Sequence, residues 1–434
     1  MPTIQDTLNL LQDKRIDILF NQLYSHETSI IQKQIERYTV LINTFQSHFS
    51  NDDIHLFSTP GRTEIGGNHT DHNAGRILAA AINLDSVAVA SKMDDQKVTL
   101  YSEGFDKPFI VQLNDLNPQD NEKESTQSLI RGIAARFQAL GFKIGGFSAC
   151  ITSDVLVGSG LSSSASVEVL IGTIFNAFYN QNKISPKELA MIGQYAENVF
   201  FGKPCGLMDQ TTCAVGGIVT IDFRDAEHPE VQKVAFDFNA QNTSILVVDT
   251  GGNHADLTED YAAVPNEMKS VAKKLGGQVV RDICADDLIA ATPKIRAEVG
   301  DRAILRALHF LGDNQRVVDQ VEALQQNNFD RFLQLVNDSG NSSFKWLQNV
   351  YTTKNVFEQG VSLALALTEN YIRKAGKGAC RVHGGGFAGT IQVFLHNDFV
   401  QDYIQLMESV FGKGSVQVLT VRPVGTLHIN LVIG

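Results

Sequence analysis

Residues 61–73 read Gly-Arg-Thr-Glu-Ile-Gly-Gly-Asn-His-Thr-Asp-His-Asn, directly after Pro60. These thirteen positions hold an Arg, a Glu, two His, an Asp and two Asn around three glycines. A folded domain has no structural use for so many short polar groups, which instead converge on a polar ligand or an ion. His69, Asp71 and His72 are chemically suited to bind a metal. On a strand, His69 and Asp71 would share a face while His72 pointed away. The same spacing suits hydrogen bonds to sugar hydroxyls, so the residues alone leave a metal site and a polyol site equally open.

The flanks set this stretch in an α+β context. Residues 1 to about 50 group Leu8, Leu10, Leu11, Ile16, Ile18 and Leu19, then Ile30, Ile31, Ile35, Val40 and Leu41, at roughly helical spacing. The segments 86–90 and 98–101 have strand composition with an Asp94-Asp95 turn between them, and helical spacing over 128–140 ends at Gly141. Helices are expected over about 163–179 and 186–201, strands at 217–221 and 244–248, and a mostly helical stretch over 260–376. A strand, a helix and a strand then end at Val416-Gln417-Val418-Leu419. Polar Asn239-Ala240-Gln241-Asn242 separates two apolar segments, which predicts two domains, 1–240 and 241–434.

Composition fits this division. A chain of 434 residues exceeds a single core. Its 43% hydrophobic and 19% charged residues are those of a globular domain, and no apolar run reaches the length of a membrane span. Forty-eight acidic against 36 basic residues give a net charge of -12, which argues against nucleic acid or an anionic membrane as partner. Five cysteines without a CxxC pair read as reduced thiols in a cytoplasmic protein. Nothing in the sequence sets an oligomeric state, and a monomer is compatible with it.

Three further segments could carry chemistry. Val157-Gly-Ser-Gly-Leu-Ser-Ser-Ser-Ala-Ser166 follows a strand-like run and opens a helix. Its glycines and the helix N-terminus suit an anion, although a serine-rich helix cap is an equal reading. Gly202-Lys-Pro-Cys-Gly-Leu-Met-Asp-Gln210 puts Asp209 just after a glycine turn, where it could hold a metal, orient a hydroxyl or simply cap a helix. Glu197 lies on the preceding helix, within reach of the same place. Arg381-Val-His-Gly-Gly-Gly-Phe-Ala-Gly389 packs four glycines into six residues, implying unusual backbone angles or a close approach.

The four segments in this order resemble the GHMP small-molecule kinases, most closely their galactokinase branch. Gly61, Arg62, Gly67, His69, Thr70, Asp71 and Asn73 match that branch's Gly-Arg-Val-Asn-Leu-Ile-Gly-Glu-His-Thr-Asp-Tyr-Asn signature. Residues 160–166 match its phosphate loop, 205–210 its catalytic segment, 384–389 its third glycine motif, and Asp249-Thr250-Gly251 with Tyr261 its sugar-contacting segment. The resemblance implies a two-domain fold, with an N-terminal domain like domain 2 of ribosomal protein S5 and a ferredoxin-like C-terminal domain. It further implies ATP and Mg²⁺ as cofactors and phosphorylation of the anomeric hydroxyl of galactose.

The resemblance also implies roles. Gly158, Ser159, Gly160, Leu161, Ser162, Ser163 and Ser164 would cradle ATP, with Ser164 and Glu197 the Mg²⁺ ligands. Asp209 would orient or deprotonate the hydroxyl, and Arg62 would steady the transferring phosphoryl group. Asn68, His69, Asp71, Gly206 and Tyr261 would hold the sugar. Two departures bear on the substrate. Asn68 stands where galactokinases carry a Glu expected to bind the C6 hydroxyl, so galacturonate is an alternative. Gly66 and His72 replace an Ile and a Tyr and predict a roomier pocket, which makes N-acetylgalactosamine another. A non-catalytic sugar and ATP sensor is the reading from another class, against which stands the intact Arg62, Ser164, Glu197 and Asp209 set.

Overall fold

A computed structural model describes residues 2–155, 160–203, 205–252 and 257–433. Gly158 and Ser159 of the serine loop lie outside the described residues. The chain is α+β, as expected, and its strands form two sheets. The first comprises β1 (His55–Gly66), β2 (Arg76–Lys92), β3 (Lys97–Ser102), β4 (Phe109–Gln112), β5 (Phe147–Ser153), β6 (Ile218–Asp222), β7 (Glu230–Val234) and a late strand, Leu427–His428. The second comprises β8 (Thr243–Asp249), β9 (Gly378–Val382), β10 (Thr390–His396) and β11 (Val416–Leu419); the late strand is β12.

β2 organises the first sheet. Its seventeen residues pair β1 along most of their length, β6 through Arg76 to Ala80, and β5 through Ser86 to Lys92. Both faces of its second half are apolar and both are covered. Ala88 and Ala90, with Phe57, Ala149 and Ile151, face a core filled by the helices Thr126–Ala139, Ser163–Asn180 and Pro186–Tyr195. Val87 and Val89, with Leu56 and Cys150, face the opposite way onto the helices Ile4–Leu10, Lys14–Leu23 and Thr28–His48. This is the period-2 alternation of a strand buried on both sides. The helical N-terminus is therefore the second cover of the sheet.

An ion-pair cluster pins that cover. Asp85 is fully buried and accepts from Tyr24 Oη at 2.7 Å, Ser58 Oγ at 2.5 Å, Arg37 Nη1 at 2.7 Å and Arg422 Nη1 at 3.0 Å. Two guanidiniums outweigh the effect of burial and hold its carboxyl below the usual carboxylate range.

The second sheet is antiparallel in the order β11-β8-β10-β9. With helix Val400–Phe411 between β10 and β11, the connection is strand, helices, two strands, helix, strand, the ferredoxin-like pattern. The long first crossover carries the helices Thr258–Lys274, Ala285–Val299, Asp301–Gln325, Phe329–Ser342 and Gly360–Ala375. Ile65, Leu78, Ala80 and Ile82 of the first sheet share one core with Ile245, Val247, Phe394 and Leu419 of the second. The segment after β11 returns to the first sheet, where β12 pairs β1. Among the described residues, no helix is long and apolar enough to cross a membrane.

Candidate active site

Arg62 sits on β1 where its register with β2 shifts between Pro60 and Arg62, an irregularity that re-aims a side chain. Its guanidinium forks onto Asp209, with Nε to Oδ1 and Nη2 to Oδ2 both at 2.7 Å. Nη1 donates to the Gly160 carbonyl, and the Arg62 N–H to Leu161 O at 3.0 Å. Arg62 thus ties the serine loop to β1 through side chain and backbone together. Ser162 has a left-handed backbone, φ 65°, and donates its hydroxyl to Asp209 Oδ2 at 2.5 Å.

Asp209 lies in the first turn of helix Met208–Val215, where the helix dipole favours a carboxylate. Burial alone would raise its pKa. The adjacent Arg62 charge and hydrogen bonds, and then Ser162, hold it below the usual carboxylate range. The Arg62 side chain is 7% exposed and that of Asp209 32%. The carboxylate is therefore both ionised and reachable.

Beside this pair, Ser164 Oγ lies 3.4 Å from Glu197 Oε1. Helix Pro186–Tyr195 widens into a π-helical turn, Ala196–Phe201, which carries Glu197; such turns recur at functional sites. Lys203 Nζ reaches Glu197 Oε1 at 3.6 Å. Beneath them, Gln210 Nε2 donates to Glu168 Oε2 and to Glu197 Oε2, each at 2.9 Å. Burial, and then the neighbouring Glu197, push Glu168 well above the usual carboxylate range. A serine hydroxyl and a carboxylate side by side fit Mg²⁺, a hard cation that takes one or two protein oxygens and fills the rest with phosphate and water.

The loop after β1 departs from the strand geometry expected for His69 and Asp71. β1 ends at Gly66, Gly67 takes φ 87° and His69 φ 59°, and Asp71–Asn73 forms one 3₁₀ turn. Strand alternation thus does not place these side chains. The third glycine loop does. Asn68 Nδ2 donates to Gly384 O at 2.7 Å, His69 Nε2 bonds Gly385 O at 2.8 Å, and Tyr261 Oη donates to Gly386 O at 2.8 Å. Three successive carbonyls therefore gather three of the expected sugar residues. Burial pushes His69 down to about 4, so its ring is neutral. Asp71 faces Gly206, where an added Cβ would lie 2.1 Å from Asp71 Oδ2. Only glycine leaves that carboxylate its place.

Asn68 differs from what the sequence suggests. It is fully buried, and the protein itself occupies its amide. Besides Gly384, Nδ2 donates to Glu64 Oε1 at 3.1 Å, while Oδ1 accepts from Asn349 Nδ2 at 2.8 Å and Ser343 Oγ at 3.3 Å. Its backbone N–H donates to Asp313 Oδ2 at 2.8 Å, and its carbonyl is 3.0 Å from His309 Nε2. The side chain faces protein on every side, which leaves no hydrogen-bonding group for a sugar hydroxyl. Sequence reading also missed Glu168, Gln210, Asn349 and His383. Glu168 lies four residues after Ser164 on one helix, a spacing that puts both on one face and could have signalled it. His383 joins Thr63 and Thr390, each at 3.0 Å, and so ties β1 to β10.

Comparison with known proteins identifies the family. The profile described as GHMP kinases N terminal domain matches residues 128–217, and that described as Galactokinase galactose-binding signature matches residues 43–92. A galactokinase of Actinobacillus pleuropneumoniae serotype 5b (strain L20) is 31% identical, over 85% of this chain and 92% of its own. One of Glaesserella parasuis serovar 5 (strain SH0165) is 30% identical over the same shares. Among solved structures, Lactococcus lactis galactokinase complexed with galactose superposes with a TM-score of 0.76 at 24% identity, covering 89% of this chain and 98% of that one. Methanococcus jannaschii mevalonate kinase gives 0.60 at 17% identity, over 85% and 98%.

Proposed function

Because the chain belongs to the galactokinase family of GHMP kinases, we propose that it transfers the γ-phosphoryl group of ATP to the anomeric hydroxyl of galactose, giving galactose 1-phosphate and ADP. The observation that carries this reading is the forked Arg62–Asp209 pair, with Asp209 ionised and one-third exposed beside the serine loop. Phosphoryl transfer needs mainly positioning and neutralisation of charge, and this site offers both.

In this reading Asp209 accepts a hydrogen bond from the anomeric hydroxyl and takes its proton as the new O–P bond forms and the bond to ADP breaks. Arg62 keeps Asp209 ionised and faces the transferring group with positive charge. Gly160, Leu161, Ser162 and Ser163 would lay backbone N–H groups and the N-terminus of helix Ser163–Asn180 against the phosphates; the resemblance assigns Gly158 and Ser159, outside the described residues, to the same loop. Ser164 and Glu197 would hold Mg²⁺, which when bound neutralises charge on the phosphate oxygens. Asp71, His69 and Tyr261 line the sugar side, with Gly206 leaving room for Asp71. Asn68 pins the loop that carries His69 and Asp71. The case for galacturonate rested on Asn68 facing the sugar; its enclosure removes that reason.

The two sheets correspond, in this reading, to domains over 1–240 and 241–434 that close on ATP and sugar together. The five cysteines, none in a disulfide, support a reducing cytoplasmic setting. The test is sugar-dependent ADP release by purified protein offered galactose, galacturonate, N-acetylgalactosamine and arabinose. Turnover led by galactose is expected. No turnover on any of them, with ATP binding intact, would leave a sensor and sink the kinase reading.

A further inference from the structure

Gln210 is fully buried, and its amide nitrogen bridges two carboxyl groups, Glu168 and Glu197, at 2.9 Å each. Of these, Glu197 turns its other oxygen, Oε1, toward Ser164 Oγ at 3.4 Å. Oε2 is therefore held from behind while Oε1 faces the site. Glu168 is 1% exposed, and its own Oε1 and the Gln210 carbonyl oxygen have no hydrogen-bond partner. Such buried unpaired acceptors are costly and are retained where they serve a purpose. The backbone secures the arrangement as well. Gly193 lies against both, since an added Cβ would meet Gln210 Cγ and Glu168 Oε2 at 3.3 Å. A side chain at Gly193 would press on the bridge and require it to give by a few tenths of an ångström.

We propose that Gln210 and Glu168 are positioning residues that fix the orientation in which Glu197 presents Oε1 to Mg²⁺. The inference rests on the kinase reading and deepens its metal site. Without the bridge, Glu197 is free to swing toward the Lys203 ammonium, 3.6 Å from Oε1, and the metal meets a carboxylate that must first be reoriented. Partners of this kind orient metal ligands throughout metalloproteins, and their loss weakens affinity by about 10–100-fold. Glu168 acts one step further back, by giving Gln210 an acceptor that fixes the plane of its amide.

The experiment uses the full chain and Mn²⁺ as probe, titrated against protein and ADP and read by electron paramagnetic resonance. Gln210→Met keeps the side-chain length but removes the amide. It is expected to weaken Mn²⁺ binding about tenfold or more and to raise the Mg²⁺ needed for half-maximal turnover, with the sugar KM unmoved and kcat recovered at high Mg²⁺. Glu168→Leu should show the same trend, and Glu168→Gln, which retains an acceptor oxygen, should restore binding relative to Glu168→Leu. These two variants keep the test open should Gln210→Met not fold. Wild-type Mn²⁺ affinity in both Gln210→Met and Glu168→Leu overturns the proposal. So does a loss of sugar and metal binding in parallel with a lowered melting temperature, which marks a purely structural role. Mn²⁺ binding by wild-type protein that turns over no sugar would instead count against the kinase reading alone.

Discussion

Asp209 and Asp85 each sit in an arginine cluster against the first sheet, and the two are opposite in design. Asp209 meets one guanidinium and one serine, and its side chain stays 32% exposed. Asp85 meets two guanidiniums, a tyrosine and a serine, and has no exposure at all. Both carboxyls are held below their usual range, and in both the arginines outweigh burial. A low pKa therefore does not distinguish an active site from a structural staple. Accessibility does. Both oxygens of each carboxylate already accept hydrogen bonds, but only the Asp209 side chain reaches solvent, where a hydroxyl can approach it.

The largest effect that could break this contrast is at Asp209. Asp209→Asn should lower kcat by about 10²–10⁴-fold, the range for losing a general base, while ADP binding by calorimetry holds. Retained turnover would mean another carboxylate does the work. At the sealed cluster the pattern reverses. Asp85→Ala leaves Arg37 and Arg422 facing each other and should cost about 3–5 kcal/mol in urea unfolding, with kcat per folded molecule intact. A folded, inactive Asp85→Ala protein would erase the distinction.

Asn68 gives a sharper intermediate case. A Glu there would put its carboxylate against Glu64 and the Gly384 carbonyl rather than solvent. Asn68→Glu should thus destabilise by about 1–3 kcal/mol for unpaired buried groups, with no gain in galactose use. Improved galactose kinetics would place Asn68 against the sugar after all. Gly206→Ala should raise the sugar KM and leave the ATP KM unchanged, because its Cβ would displace Asp71. The smallest effect is on pH dependence. The folded pKa of Asp209 is depressed, so its ionised pair contributes fully above the ordinary value and is lost as pH falls through the lower, folded one. The acid limb of kcat/KM assigned to Asp209 should therefore lie below about pH 4; a limb near pH 6 would point to a different group.

Much of this was legible beforehand where a signal is local. The helix beginning at Ser163, the turn at residues 93–96 and the β8 strand follow from period and punctuation, and the resemblance named Arg62 with Asp209 and Ser164 with Glu197, each pair in contact. What escaped was set by distance along the chain. Apart from Glu64, the groups enclosing Asn68 come from His309, Asp313, Ser343, Asn349 and Gly384, at least 241 residues away, and no local pattern reports them. β12 has two residues, too few to show alternation. The second cover of β2 was in principle readable, since Val87 to Ala90 is apolar on both faces.

The closure of Asp85 by Arg422 spans 337 residues. During synthesis, the first sheet therefore emerges with a carboxylate, Tyr24 and Arg37 already at hand but one guanidinium and an edge strand missing. They arrive only after the whole ferredoxin-like domain has left the ribosome. The nascent N-terminal half must wait with that edge of β1 exposed, a long-range dependence that slows folding and invites association with other chains.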